Sequence, residues 1–228
     1  MVRKVDLDKG LGMTSLRTRT RLLERLSEKG ISDVRVLEAI RDVPRHLFLD
    51  EAFASRAYED LSLPIGNQQT ISQPYIVAKM TEILIREDRF VQTPLLNSLE
   101  VGTGCGYQAA ILSVFSKKVT SIERIKSLYD KAKKNLQAIK VRNVNLIYGD
   151  ANEFLAKEKF DSILLAAAPN QIPSEFLSYL EVGGRLIAPV GNSESQELVL
   201  VTKTEENKYQ EEIIEKVMFV PMLKGIED

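Results

Sequence analysis

The sequence predicts an α/β protein: a doubly wound, mostly parallel seven-stranded sheet ending in an antiparallel hairpin, preceded by an N-terminal helical region. Three observations carry this. From Leu95 onward, short apolar runs alternate with helical patterns, the signature of parallel strands joined by helical crossovers. A glycine-rich loop joins the first of those runs to its helix. Near the end, two strand-like runs are separated only by the polar "EENK" (205–208), a spacing that fits a hairpin and not a crossover.

The first sixty residues read as helices. "SLRTRTRLLERLSEKG" sets Leu16, Leu22, Leu23 and Leu26 on a basic background and stops at Gly30. "SDVRVLEAIRDV" begins at the cap candidate Ser32 and stops at Pro44, and "RHLFLDEAFASRAYED" supplies a third short helix. Ile76, Val77, Met80, Ile83 and Leu84 then recur at helical spacing after "TISQP". In the second part, "LLNSLEV", "KVTSIE", "NVNLIYG", "DSILLAA" and "GRLIAPV" are strands. "YQAAILSVFS", "KSLYDKAKKNLQAI", a short helix after Asp150 and "PSEFLSYL" are the crossovers. "QELVLVTKT" and "YQEEIIEKVMFVPM" form the terminal pair. The expected division is a helical region over 1–94 and a ligand-binding core over 95–228.

Composition narrows the function. The 31 Lys and Arg balance 32 Asp and Glu, which gives no electrostatic footprint for nucleic acid or an anionic membrane. One Cys excludes an internal disulfide framework and fits a reducing compartment, and one His leaves little for a metal site. No apolar run approaches the roughly 20 residues of a membrane span. A soluble, cytoplasmic protein without a metal is the expectation, either a monomer or a homo-oligomer.

"LEVGTGCGYQ" (99–108) places Gly102, Gly104 and Gly106 between the first core strand and its helix. Tyr107 stands where a dinucleotide fingerprint has its third Gly, and Glu100 adds negative charge that disfavours a pyrophosphate and suits a cationic group. Glu123 closes the second strand about 20 residues on, where a carboxylate can accept ribose hydroxyls. Asp150 closes the third, placed to meet an exocyclic adenine amine. Ligands of open α/β sheets bind at the carboxyl ends of the strands, so all three acids are expected in one crevice. An adenosine with a cationic, phosphate-free tail fits, and S-adenosyl-L-methionine is such a ligand. Cys105 inside the loop reads as small filler, since no His is to spare for activating it.

The stretch "TISQP" sets the hydroxyls of Thr70 and Ser72 just ahead of a helix. Such hydroxyls are commonly N-caps. Both roles are open here: capping the helix, and contacting a substrate when it binds.

Together, "AYEDLSLPIGNQQTISQPYIVAKMTEIL", "LEVGTGCGYQAAIL", "SIERI", "FDSILLAAAPNQIP", "GGRLIAPVG" and "MFVPM" resemble the protein-L-isoaspartate (D-aspartate) O-methyltransferase family, from about Val43 to Pro221. "TISQP" is specific to that family, whereas the glycine loop and acids are shared with many Rossmann-like methyltransferases. The resemblance implies methyl transfer from S-adenosyl-L-methionine, leaving S-adenosyl-L-homocysteine, to the α-carboxylate of L-isoaspartyl residues in aged proteins. The ester returns to a succinimide, whose hydrolysis gives some normal aspartate. By the same resemblance Ser72 is the active-site serine, and Thr70, Ala167, Ala168 and Val220 lie by the substrate. Glu100, Gly102, Thr103, Gly104, Gly106, Glu123, Asp150 and Ala151 hold the cofactor. Three positions depart from the family pattern: Gln68 replaces a Gly, Ala151 stands where Gly is common, and Ala166 where Thr is frequent.

Other readings are weaker. A methyltransferase of RNA or small molecules has no use for "TISQP" and usually carries a basic groove. An NAD-dependent oxidoreductase is disfavoured by Tyr107 and Glu100, and a non-catalytic module for damaged peptides by the intact acids. His46 reads as a packed or capping residue, and the arginines at 17–25 as a solvated face or subunit contact.

Overall fold

The computed structural model describes residues 12–85 and 94–228. Helices α1 (Leu16–Glu28), α2 (Val34–Asp42) and the short α3 (Glu51–Ala54) come first. A hairpin of β1 (Leu63–Gly66) and β2 (Gln69–Ile71) follows, then α4 (Pro74–Leu84). The core continues as β3 (Leu95–Val101), α5 (Tyr107–Phe115), β4 (Ser116–Glu123), α6 (Lys126–Ala138), β5 (Val144–Tyr148) and β6 (Phe160–Leu165). It ends with α7 (Ser174–Tyr179), β7 (Leu180–Gly191), β8 (Gln196–Glu205) and β9 (Lys208–Val217).

The seven-stranded sheet has the order β5-β4-β3-β6-β7-β8-β9. β3 through β7 are parallel, and β8 and β9 are each antiparallel to their neighbours. The chain steps outward from β3 to β5 and then returns to β6 on the other side. This reversal leaves a crevice at the carboxyl ends of β3 and β6, where helices depart to opposite faces. β3 is buried from Ser98 to Val101 because both faces are covered there. On one face Leu99, Val101, Ile163 and Leu186 pack around Phe176. On the other, Val119, Leu164 and Ile187 share a core with Val77 and Met80 of α4, Ile111 and Leu112 of α5, and Leu22 and Leu26 of α1.

Several local expectations are corrected. No helix forms after Asp150: the chain turns there, because the Asp150 carboxylate accepts the backbone N–H of Asn152 at 2.8 Å and closes an Asx turn. The cap of α2 is Asp33, whose side chain accepts the N–H of Arg35, and not Ser32. The third helix is split into a 3-10 turn over Arg45–Phe48 and α3. The arginines of α1 are not uniformly solvated. Arg17 and Arg21 are exposed, but Arg19 is buried over the Tyr58 ring and donates to the Arg41 carbonyl. Arg25 donates to the Tyr58 carbonyl at 2.6 Å. His46 is a packed residue, paired through Nδ1 with the Tyr58 hydroxyl at 2.8 Å.

Candidate active site

A cavity opens where the switch of the sheet predicts it. Its floor is the glycine loop after β3, and its sides are Glu123 at the end of β4, Asp150 beyond β5, and Ala166 and Ala167 beyond β6. The loop is drawn onto β4: Gly102 N–H donates to the Ile122 carbonyl at 2.9 Å and Gly104 N–H to Glu123 Oε2 at 2.7 Å. Gly106 has φ +91°, and a Cβ there would stand 3.3 Å from the Ala132 Cβ of α6. A side chain would therefore both strain the backbone and wedge the two crossover helices apart.

The three acids separate into two kinds. Glu123 lines the cavity, and its other oxygen accepts Ile125 N–H at 2.9 Å. Burial raises its pKa, partly countered by those backbone donors. Asp150 also lines the cavity. Burial pushes its carboxyl up, but the N–H groups of Gly225 and Asn152 outweigh this and hold it below the usual range. Glu100 is not in the crevice: it is fully buried beneath the loop and absent from the cavity wall. Its Oε2 accepts the Ser121 hydroxyl, which is itself bonded to the Thr103 hydroxyl, while Oε1 has no partner among the described residues. Burial raises its pKa to about 8. Glu100 thus reaches the cavity only through Ser121 and Thr103, because its place on a strand covered on both sides directs it into the core.

The β1–β2 hairpin forms the opposite wall, contributing Gln69, Thr70, Ile71 and Ser72. Asn67 and Gln68 at its tip both have positive φ, +51° and +56°, the pair of values that a type I′ turn requires. Ile65 rests over Gly104, and Lys131 of α6 donates to the Ile65 carbonyl at 3.2 Å. Neither Thr70 nor Ser72 caps α4. The N-cap position is Gln73, and the donor Tyr75 N–H is taken by Asp60 at 2.8 Å. Both hydroxyls have no hydrogen-bond partner among the described residues.

The last wall is the chain leaving the sheet after β9. Ala168 N–H donates to the Val220 carbonyl, and Met222 N–H to the Ala168 carbonyl, each at 2.8 Å. This places Val220, Pro221, Met222 and Leu223 on the cavity. The tail then runs along the acids. Gly225 N–H donates to Asp150 Oδ2 at 2.6 Å, and Arg124 donates to the Gly225 carbonyl at 2.7 Å.

Of the thirteen residues singled out from sequence, Thr70, Ser72, Gly102, Thr103, Gly104, Glu123, Asp150, Ala151, Ala167 and Val220 line this one cavity. Glu100, Gly106 and Ala168 stand behind the wall and shape it. Sequence reasoning missed Arg124, Ile125 and Leu128, which follow Glu123 into α6, and Met222 and Leu223. The first three were signalled by their position just beyond the acid, and Met222 and Leu223 by following Val220, which the resemblance places by the substrate. Cys105 lies in the wall as a buried thiol whose pKa burial raises to about 11, so it stays protonated. Among the described residues no group of three or more His, Cys, Asp or Glu could hold a metal ion, and no helix is long and apolar enough to cross a membrane.

The family model for protein-L-isoaspartate(D-aspartate) O-methyltransferase (PCMT) matches residues 17–227. The chain belongs to that family. Curated relatives agree. A protein-L-isoaspartate O-methyltransferase of Methylobacillus flagellatus is 52% identical over 220 residues, covering 95% of this chain and 96% of the relative. One from Pseudomonas paraeruginosa is 48% identical over 214 residues, covering 93% and 99%. A solved protein-L-isoaspartate O-methyltransferase superposes with a TM-score of 0.79 at 25% identity, over 92% of this chain and 67% of that one. A Plasmodium falciparum structure, titled as a putative member in complex with S-adenosyl-L-homocysteine, shares the fold with a TM-score of 0.77 at 24% identity, over 90% and 98%.

The three departures from the methyltransferase family pattern have definite places. Gln68 takes a left-handed φ in the hairpin turn that glycine adopts without cost. Ala151 is buried in the cavity wall, and Ala166 faces Gly102, whose added Cβ would lie 3.5 Å from the alanine Cβ.

Proposed function

We propose that this chain methylates the free α-carboxylate of L-isoaspartyl residues in damaged proteins and peptides, with S-adenosyl-L-methionine as donor. The observation that carries this reading is the pair of unengaged hydroxyls, Thr70 and Ser72, on the same cavity as Glu123 and Asp150.

The wall suits the donor molecule. Glu123 is placed for ribose hydroxyls and Asp150 for an adenine amine, and Gly102, Thr103 and Gly104 let backbone approach the remainder. Ile125 and Leu128 give the apolar surface a purine needs. When bound, S-adenosyl-L-methionine supplies an electrophilic methyl group. The other requirements fall on the chain.

An isoaspartyl carboxylate is ionised at neutral pH, its reference pKa being about 3.5–4, so no general base is needed. The sole histidine is accordingly engaged elsewhere, against Tyr58. Thr70 and Ser72 can donate hydrogen bonds that select one carboxylate rotamer and leave an oxygen free. Orientation of this kind can supply about 7–11 kcal/mol of barrier reduction. A cation in their place would stabilise the nucleophile's charge and blunt it. The cavity respects this: Arg124 is committed to the Gly225 carbonyl and Glu227. In this reading 1–94 carries Thr70 and Ser72 for the acceptor, and 95–228 holds the donor and, through Ala167 and Val220, the other side of the acceptor site. The near-balanced charge supports a protein acceptor over a nucleic acid, and the single Cys fits a reducing compartment such as the cytoplasm.

The test is labelled methyl transfer to an isoaspartyl peptide beside its aspartyl twin. Base-labile label on the isoaspartyl peptide alone is the expected result, and no label there overturns the reading.

A further inference from the structure

β9 ends at Val217, opposite Gln196, the first residue of β8. The sheet has no further backbone rung to offer the chain beyond that point. The Gln196 side chain takes over. Its Oε1 accepts Phe219 N–H at 2.6 Å, and its Nε2 donates to the Phe219 carbonyl at 3.0 Å. The amide therefore imitates one rung of a β-ladder, and its two unlike partners fix which end is oxygen and which nitrogen. Gln196 is 4% exposed, so these bonds form out of competition with water. One residue on, Val220 turns its carbonyl the other way, to Ala168. Phe219 and Val220 are thus held from opposite edges, as alternation in an extended chain demands.

We propose that Gln196 is a positioning residue for the acceptor: by clamping Phe219 it sets Val220 and Pro221 at the cavity mouth, where the chain bearing the carboxylate must lie. Gln196 does not itself line the cavity, and this role rests on the methyl-transfer reading above. The clamp acts on one wall only. Glu123 and the glycine loop belong to other elements. Asp150 is met by Gly225 further along the same tail, but it is also held by Asn152, and Arg124 anchors Gly225. Loss of the clamp should therefore fall on the acceptor and largely spare the donor.

Gln196→Glu is the informative variant. It keeps the shape but, when ionised, offers Phe219 two acceptors and no donor. Relative to wild type, KM for an isoaspartyl peptide should rise about tenfold, while kcat changes less than about threefold and calorimetric affinity for S-adenosyl-L-homocysteine less than about twofold. The KM defect should shrink as the pH falls, because a protonated carboxyl again donates to the Phe219 carbonyl. Wild-type activity with an unchanged KM in the variant overturns the positioning role and leaves the methyl-transfer reading standing. A wild type that does not methylate the peptide overturns both. Amide hydrogen exchange on the unmutated protein tests the clamp independently of folding of the variant. Phe219 N–H should exchange as slowly as the ladder amides of β9, and rapid exchange overturns the clamp.

Discussion

The carboxylate of Asp60 accepts the backbone N–H of Tyr75 at 2.8 Å, and so caps a helix from fifteen residues upstream. The Asp60 carbonyl also accepts the Gln73 side-chain amide at 2.9 Å. A helix N-terminus has orphan donors that need acceptors, and here a distant side chain meets that need. Ser72, two residues before α4, is left free to face the cavity. The geometry separates two roles that the sequence alone joined in "TISQP".

Ser72→Ala should therefore leave stability intact and reduce catalysis. Turnover on an isoaspartyl peptide is expected to fall roughly ten- to a hundredfold, about 1–3 kcal/mol, because the serine orients the nucleophile without becoming one. Cofactor affinity should be unchanged. Melting temperature, calorimetry and turnover on the same preparation check all three, and full turnover in the folded variant would sink the role.

Asp60→Ala should show the reverse emphasis. Losing the cap is expected to cost about 0.5–2 kcal/mol in urea denaturation. Its ion pair with Lys29 adds little, since the lysine is half exposed. Asp60→Asn keeps an acceptor and should recover most of the loss. If alanine and asparagine destabilise equally, the hydrogen bond to Tyr75 is not what matters.

Glu123→Ala should weaken S-adenosyl-L-methionine binding by about 1–3 kcal/mol, the scale of lost hydrogen bonds to a charged group. The same carboxylate also ties Gly104 and Ile125, so part of the loss should be a loosened loop. Glu123→Gln, which keeps one acceptor for the two backbone donors, should fall between wild type and alanine. Calorimetry showing wild-type affinity in a folded alanine variant would remove Glu123 from the donor site.

The core of the fold was legible because β3 to β9 and the crossover helices α5, α6 and α7 are periodic enough to declare themselves, whereas the link from β5 to β6, expected as a helix, is a turn. The β1–β2 hairpin was not legible. Its strands are three and four residues long, one contains Pro64, and its turn uses Asn67 and Gln68 where glycine is the usual signal. For the site, the acids at strand ends were visible, but burial was not. Sequence cannot tell whether the face on which Glu100 lies is open or covered, and α4 and α5 cover it. The tail beyond Leu223 escaped for a different reason. Gly225 binds Asp150 through its backbone N–H, and backbone contacts leave no mark on residue type.

The burial of Glu100 makes the last prediction, which concerns pH. With no cation partner among the described residues and Glu123 nearby, its carboxyl has a folded pKa of about 8 against an ordinary value of 4.5. Burial is the main cause; the Ser121 hydroxyl opposes it and Glu123 adds to it. The folded protein thus holds this proton more tightly than the unfolded chain. Its stabilising contribution is fully present below about pH 4.5, declines as pH rises, and is lost as pH passes about 8. Glu100→Gln removes the titration while keeping an acceptor for Ser121. The variant should therefore gain on wild type as pH rises from 5 to 8, by on the order of a few kcal/mol. Denaturation curves across that range check it. Parallel pH dependences for the two proteins would mean that Glu100 titrates as an ordinary carboxylate, and that its surroundings are wetter than the packing beneath the glycine loop allows.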